Sequence, residues 1–309
     1  MIEAHDIGKM FGAGEDAVGL RELSLSVPRG RVLALLGHNG AGKTTAVSCL
    51  STLLPLDRGT ARVAGFDVTT EARRVRERIA LVGQALAVDE QLTARQNLVL
   101  FGRLRGLDRG TATTRAGLLL DDVGLGEDED RPVRTFSGGM RRRLDVAASL
   151  VVRPEVLFVD EPTTGLDPAG RRDLWRTLRG LVADGTTLLL TTQYLEEADA
   201  LADHIVLLAH GRVVAEGTSD QLKDALGPPL ISLRFADPSE TVRAGQVLGR
   251  FEGYRPGDAT TATLPATRPE SLLECVRALG DLGISPTEVT LRKPSLDEVF
   301  HHHITEEAV

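Results

Sequence analysis

The chain has 309 residues, 42% of them apolar, and a formal net charge of −8, which suits one large domain plus a small one and excludes a disordered chain. Residues from 221 onward carry 9 basic and 13 acidic side chains and the remainder 27 and 31, so neither part has the basic excess of a nucleic-acid binder. No apolar run reaches the ~18 residues of a membrane helix, the amino end is polar rather than signal-like, and two cysteines, Cys49 and Cys275, are too few for a disulfide framework. A reducing cytoplasm suits such a chain, and any work at a membrane would need another chain to do the spanning.

The first strong element is residues 31–36 (RVLALL), a short apolar run that predicts a buried strand. It ends in Gly37-His38-Asn39-Gly40-Ala41-Gly42-Lys43-Thr44-Thr45, a glycine-rich loop with a helix starting near Gly42. Gly37-x4-Gly42-Lys43-Thr44 is the phosphate-binding P-loop pattern. Its glycines let backbone N–H groups curl around phosphate oxygens, and the helix turns its positive end toward them. Lys43, expected to be exposed at the loop–helix junction, would neutralise the β- and γ-phosphates, and the Thr44 hydroxyl would ligate Mg²⁺. This motif specifies a nucleoside triphosphate and nothing narrower.

A second buried strand is predicted at 79–82, shortly before a lone glutamine, Gln84. Residues 90–152 hold amphipathic helical stretches and no buried strand, and read as a helical subdomain inserted into an α/β core. Within it, Phe136-Ser137-Gly138-Gly139-Met140 leads into a run where Met140, Leu144, Ala147, Ala148 and Val151 share one helical face. Ser137 is a good N-cap, and Gly138 and Gly139 expose the first backbone N–H groups, which makes a second anion site. In a chain with one P-loop, such a site makes sense if it completes a neighbour's; an ordinary capped helix is the alternative.

Val156-Leu157-Phe158-Val159-Asp160-Glu161-Pro162 predicts a buried strand ending in two carboxylates. In doubly wound folds that strand end lies beside the P-loop. Asp160 could then hold Mg²⁺ through water, and Glu161 could orient and polarise the attacking water. A helix at 170–183, a strand at 187–191, a helix at 195–202 and a strand at 205–209 follow, then a hairpin turning at Gly211 into 212–216. Strands alternating with helices imply a parallel α/β sheet. Gly227-Pro228-Pro229 divides 1–227 from 228–309. Beyond it 230–236 alternates like a strand, 270–280 like a helix and 287–292 like a strand, a small α+β domain. His301-His302-His303 has no partner at metal-site spacing and reads as a solvated tail.

The order of P-loop, lone glutamine, SGG signature, two-acid strand end and Gly165-Leu166-Asp167 resembles an ABC transporter ATPase over about residues 2–217. The resemblance implies a P-loop NTPase core of the ABC type with a β-rich amino edge. It implies a homodimer stacked head to tail around two Mg²⁺-ATP, with Ser137, Gly138 and Gly139 of each copy meeting the γ-phosphate on the other's P-loop. By motif match, Gln84 is the Mg²⁺ and water ligand that couples to a transmembrane partner, and Asp167 links the two sites across the dimer. Phe11, in Lys9-Met10-Phe11-Gly12, matches the aromatic that stacks on adenine; a core Phe is the alternative. Met140 stands where the signature usually ends in Gln, and Gln193 stands where a switch histidine is expected, placed to give γ-phosphate a neutral hydrogen bond. Both departures, with Lys293-Pro294-Ser295-Leu296-Asp297-Glu298-Val299-Phe300, are similar to the branch typified by daunorubicin-resistance ATPases. The resemblance therefore implies an ATP-hydrolysing subunit on the cytoplasmic face of the membrane. Its partner would be a separate integral-membrane permease, its cargo amphiphilic anthracycline-like drugs, and nucleic acid no ligand. The alternatives are a soluble ABC-type ATPase on ribosomes or DNA, which tends to carry two cassettes or a long coiled coil, and a P-loop small-molecule kinase, in which the SGG signature has no task.

Overall fold

Strands that are apolar end to end have to be covered on both faces, and here they form the middle of a ten-stranded sheet. In the computed structural model, which describes residues 1–12 and 17–306, β3 is Val32–Leu36, β7 Val156–Asp160 and β8 Thr187–Thr192, buried along their whole length. They run parallel with β6 (Ile79–Val82) and β9 (His204–Ala209). β1 (Ile2–Phe11), β2 (Val18–Val27), β4 (Arg58–Val63), β5 (Phe66–Asp67) and β10 (Arg212–Gly217) complete the sheet, in the order β5-β4-β1-β2-β10-β9-β3-β8-β7-β6. The amino-edge strands pair antiparallel, and β2 alternates so that Leu23, Leu25 and Val27 enter the core while their neighbours face out. β9 and β10 are joined by His210-Gly211, both with positive φ (47° and 79°), the type I′ geometry that suits the strand twist. Ile2, Leu35, Leu50, Phe158 and Val206 belong to the core that results.

Between β6 and β7 the chain is helical, with α3 (Ala94–Leu104), α4 (Arg109–Asp122) and α5 (Gly138–Ser149). Each starts at a side-chain cap. Thr93 and Gln96 form a reciprocal capping box on α3, Asp108 caps α4, and Ser137 caps α5. The remaining helices of this unit are α1 (Lys43–Leu50), α2 (Ala72–Arg76), α6 (Pro168–Ala183) and α7 (Leu195–Leu201).

The chain divides into Met1–Ser219 and Asp220–Val309. The division precedes Gly227-Pro228-Pro229 because α8 (Ser219–Ala225) goes with the second unit, to which an Asp220–Lys293 ion pair ties it. That unit runs β11 (Leu230–Arg234), α9 (Pro238–Leu248), β12 (Arg255–Pro256), β13 (Thr261–Pro265), α10 (Ser271–Gly280), β14 (Glu288–Arg292) and α11 (Leu296–Glu306). The four strands form an antiparallel sheet in the order β12-β13-β11-β14. The β-α-β-β-α-β connectivity is that of a ferredoxin-like split βαβ unit. Ile231, Leu233, Ala262 and Leu264 of the sheet meet Ala244, Leu248, Cys275 and Leu279 of α9 and α10. The backbone of 301–303 is helical rather than a tail, and the side chains of His301 and His303 lie outside the described residues.

Candidate functional site

The strand order sets the carboxyl ends of β3, β8 and β7 side by side, with Leu36 opposite Thr192 and Asp160 opposite Thr191. Ligand crevices of open α/β sheets form at such strand ends. Beyond β3 the P-loop turns at Gly37, where a Cβ would stand 2.5 Å from the Leu208 carbonyl oxygen. Gly42, with φ 104°, caps α1, which begins at Lys43. The β9–β10 turn braces the loop: Gly211 N–H donates to Ala41 O at 3.1 Å, and Gly211 O accepts from the N–H groups of Arg21 and Glu22.

Lys43 is buried, 4% exposed, which corrects the expectation of an exposed side chain. Its Nζ donates to Gly37 O (2.8 Å) and His38 O (3.1 Å) and lies 3.4 Å from Glu161 Oε1. The ammonium is held because the loop wraps around it and a carboxylate faces it. Thr44 Oγ1 donates to the Asp160 carboxylate at 3.0 and 3.2 Å, and Thr191 Oγ1 donates to the same group. Glu161 has φ 48°, a strained value for a non-glycine residue that costs about 1–3 kcal/mol. Its N–H is secured by Thr191 O and Oγ1, both at 3.1 Å.

Lys43, Thr44 and Glu161 border a cleft of about 420 Å³, with Phe11, Asn39, Gly40, Thr45 and Gln84 completing most of its wall, while Asp160 and Thr191 are buried and reach it only through Thr44. Phe11 is 42% exposed, so it is a rim residue rather than a core one. The donor set fits a nucleotide with Mg²⁺. Thr44 Oγ1 and the Asp160 carboxylate are hard oxygen donors joined by a hydrogen bond, so Thr44 can take the ion directly while Asp160 takes a water bound to it. A wider cleft of about 780 Å³, walled by Arg115, Arg143, Asp173 and Arg176 among others, has no glycine loop and lies apart from the two acids.

Other expected site residues do not join this cleft. Ser137 and Gly138 are exposed, and the Ser137 hydroxyl is occupied with the Met140 N–H at 3.2 Å. Gly139 is half-buried. Asp167 is exposed and caps α6 by taking the Gly170 N–H at 2.8 Å. Gln193 is half-buried just past β8, one residue beyond Thr192, whose carbonyl accepts the Gly37 N–H, yet it does not line the cleft.

Arg142 is a member of the site that motif reading misses. On α5 and 6% exposed, it donates from Nη1 to Gly83 O (2.6 Å), from Nη2 to Asp160 O (3.1 Å) and Glu161 O (3.4 Å), and from Nε to Pro162 O (3.0 Å). One guanidinium thus ties the residue before Gln84 to the two-acid turn. Asp145, one helical turn on, lies 3.6 Å from it and takes the Ala87 N–H, while burial pushes its carboxyl pKa up. The signal was present: two opposite charges three apart on a helical face otherwise buried. Glu197 of α7 is also buried; the Trp175 indole N–H reaches its Oε1 at 3.1 Å, and burial pushes its pKa up.

A family model described as ABC transporter matches residues 20–164. The chain is 47% identical over 302 residues to the daunorubicin/doxorubicin resistance ATP-binding protein DrrA of Streptomyces peucetius, across 97% of this chain and 91% of that protein. It is 51% identical over 288 residues to the daunorubicin resistance ATP-binding protein DrrA3 of Streptomyces coeruleorubidus, across 93% and 91%. A solved ATP-binding subunit of an ABC transporter superimposes with a TM-score of 0.64 at 28% identity, over 73% of this chain and 93% of that one. Identity near one half along almost the full length of such proteins goes beyond a shared fold, and the chain belongs to the ABC transporter family.

Proposed function

We propose that this chain is the ATP-hydrolysing subunit of an exporter, that two copies sandwich two Mg²⁺-ATP, and that a separate membrane-spanning permease turns the opening of the sandwich into drug efflux. The observation that carries the hydrolytic reading is the convergence of Lys43, Thr44 and Glu161 on one cleft, with the buried Asp160 carboxylate bonded to the Thr44 hydroxyl. The loop N–H groups from Asn39 to Thr45 and the Lys43 ammonium bind the phosphates. Thr44, Gln84 and, through water, Asp160 would hold Mg²⁺, which when bound neutralises phosphate charge. Phosphate drawing Lys43 away from Glu161 leaves that carboxylate free to take the proton of the attacking water. Phe11 at the rim stacks on the adenine.

The exposed signature, absent from its own chain's cleft, supports the homodimer: Ser137, Gly138 and Gly139 meet γ-phosphate held by the other copy, and Asp167 lies where the two sites communicate. Gln193 would sense γ-phosphate from the end of β8. For the permease, an apolar groove of about 310 Å³ includes Leu81, Phe101 and Leu104. Leu104 is 72% exposed, with Leu100 and Leu86 exposed nearby, more apolar surface than one subunit needs to show. Among the described residues no helix is long and apolar enough to cross a membrane; the names of relatives that are resistance ATP-binding proteins support a peripheral place on the cytoplasmic face, beside the permease. The names of its relatives support amphiphilic anthracycline-like drugs as cargo.

Glu161→Gln keeps the shape and removes the base. It should retain ATP binding, lower turnover by ~10²–10⁴-fold and leave ATP-bound dimers visible by gel filtration. A variant hydrolysing at the wild-type rate would show that Glu161 is not the catalytic carboxylate.

A further inference from the structure

The two edges of the second unit's sheet differ. β12 is two residues long and ends in Pro256, which has no N–H to lend to another strand. β14, Glu288-Val289-Thr290-Leu291-Arg292, pairs with β11 along five residues without a bulge, and all five side chains are exposed. Among the described residues no backbone hydrogen bond reaches its outer side. Val289 and Leu291, 39% and 55% exposed, stand opposite the buried Leu233 and Ile231, so the apolar face of the sheet runs uncovered onto this edge.

The strand is complementary to itself. Laid antiparallel on a second β14 about Thr290, Glu288 of each copy faces Arg292 of the other, on one side of the sheet. On the opposite side Val289 faces Leu291. Both kinds of pair occur twice, as a two-fold axis requires. We propose that β14 is an interface for a second copy of this chain, which adds its own β14 and joins the two four-stranded sheets into one without needing nucleotide. The charge pattern selects a copy over an unrelated partner because the matching strand is encoded in the same five residues. Within the chain Glu288 contacts Arg234 at 3.3 Å and Arg292 contacts Glu298 at 2.9 Å. Both pairs are exposed; the single Glu288–Arg234 contact sacrifices little when exchanged, whereas Arg292 holds both oxygens of Glu298, at 3.0 and 2.9 Å, and that fork is given up or shared across the axis.

The test uses the full-length chain, nucleotide-free in EDTA, followed by sedimentation velocity over a concentration series. Wild type should shift from monomer to dimer. Glu288→Arg and Arg292→Glu should each sediment as monomers, because their own cross-axis pairs become like-charged. An equimolar mixture of the two should dimerise, since every pair between unlike copies is then opposite in sign. Thr290→Cys, on the axis and distinct from the buried Cys49 and Cys275, should cross-link copy to copy under mild oxidation. Unchanged ATP affinity in the charge variants shows that they are folded and separates this result from the nucleotide sandwich. A wild type that stays monomeric, dimers that form only with ATP, or a mixture no more associated than its components would overturn the proposal.

Discussion

Lys43 Nζ lies among the carbonyls of Gly37 and His38 and the Glu161 carboxylate, so its removal does two things at once. Lys43→Ala should abolish ATP binding by calorimetry. It should also destabilise the empty protein by about 1–3 kcal/mol, seen as a lower Tm, because a nearly buried carboxylate and two carbonyls lose their partner. A variant that still bound ATP with wild-type affinity would remove the P-loop assignment. At Gln193 the family pattern and this sequence part company, and the amide side chain does not ionise in the physiological range. Gln193→Ala should slow turnover by less than Glu161→Gln, since one neutral hydrogen bond is worth ~0.5–1.5 kcal/mol. Gln193→His should stay active and add a pH dependence between about 6 and 7.5. Three superimposable ATPase profiles over that range would mean the side chain never meets the nucleotide. The placement of such residues was legible where the pattern is local: Gly37 to Thr45 follow a buried strand and open a helix, and Asp160-Glu161 end another strand. The burial of Lys43 was not legible, because its cover comes from Glu161, far along the chain.

α5 joins two parts of the site through Arg142, whose guanidinium spans the segment ahead of Gln84 and the turn after β7. Breaking a buried pair from one side is costly, whereas replacing both charges with apolar groups is often neutral. Arg142→Ala should therefore lower stability by about 3–5 kcal/mol. Arg142→Met with Asp145→Leu should recover part of the Tm and none of the lost turnover, because it removes the unpaired charge while the four carbonyls and the Ala87 N–H still lack their partners. If turnover returned together with Tm, Arg142 would be only a packing element. Among whole elements, β3, β7 and β8 were readable since every side chain is apolar or at a strand end, and the inserted helices showed as amphipathic stretches, with Ser137 marking the start of α5. In the second unit α9, β12, β13 and α11 escaped. α9 buries only Thr241, Ala244 and Leu248, and β13 only Ala262 and Leu264, too little apolar contrast for a periodic signal.

At the scale of the molecule, the division at Ser219 makes the tail removable. A chain ended at Ser219 should bind ATP with unchanged affinity and melt in one cooperative transition, whereas one ended at Gly227 keeps α8 without the unit it belongs to and should be prone to associate. Loss of ATP binding in a folded chain ended at Ser219 would show that the division is misplaced. By itself the sequence determined the α/β class, the phosphate loop, the pair of acids, the helical insertion and the presence of a small α+β domain. These follow from spacing and periodicity along the chain, which short-range sterics and burial translate directly into loops, strands and helices. Only the tertiary structure decided that Lys43 is enclosed, that Arg142 clamps the segments leading to Gln84 and Glu161, that the signature stays outside its own chain's cleft, and that β14 is left as an open edge. Those outcomes depend on which strands become neighbours. Pairing in the sheet brings Thr44, Asp160 and Thr191 within hydrogen-bonding distance across more than a hundred residues, and no local pattern records that choice.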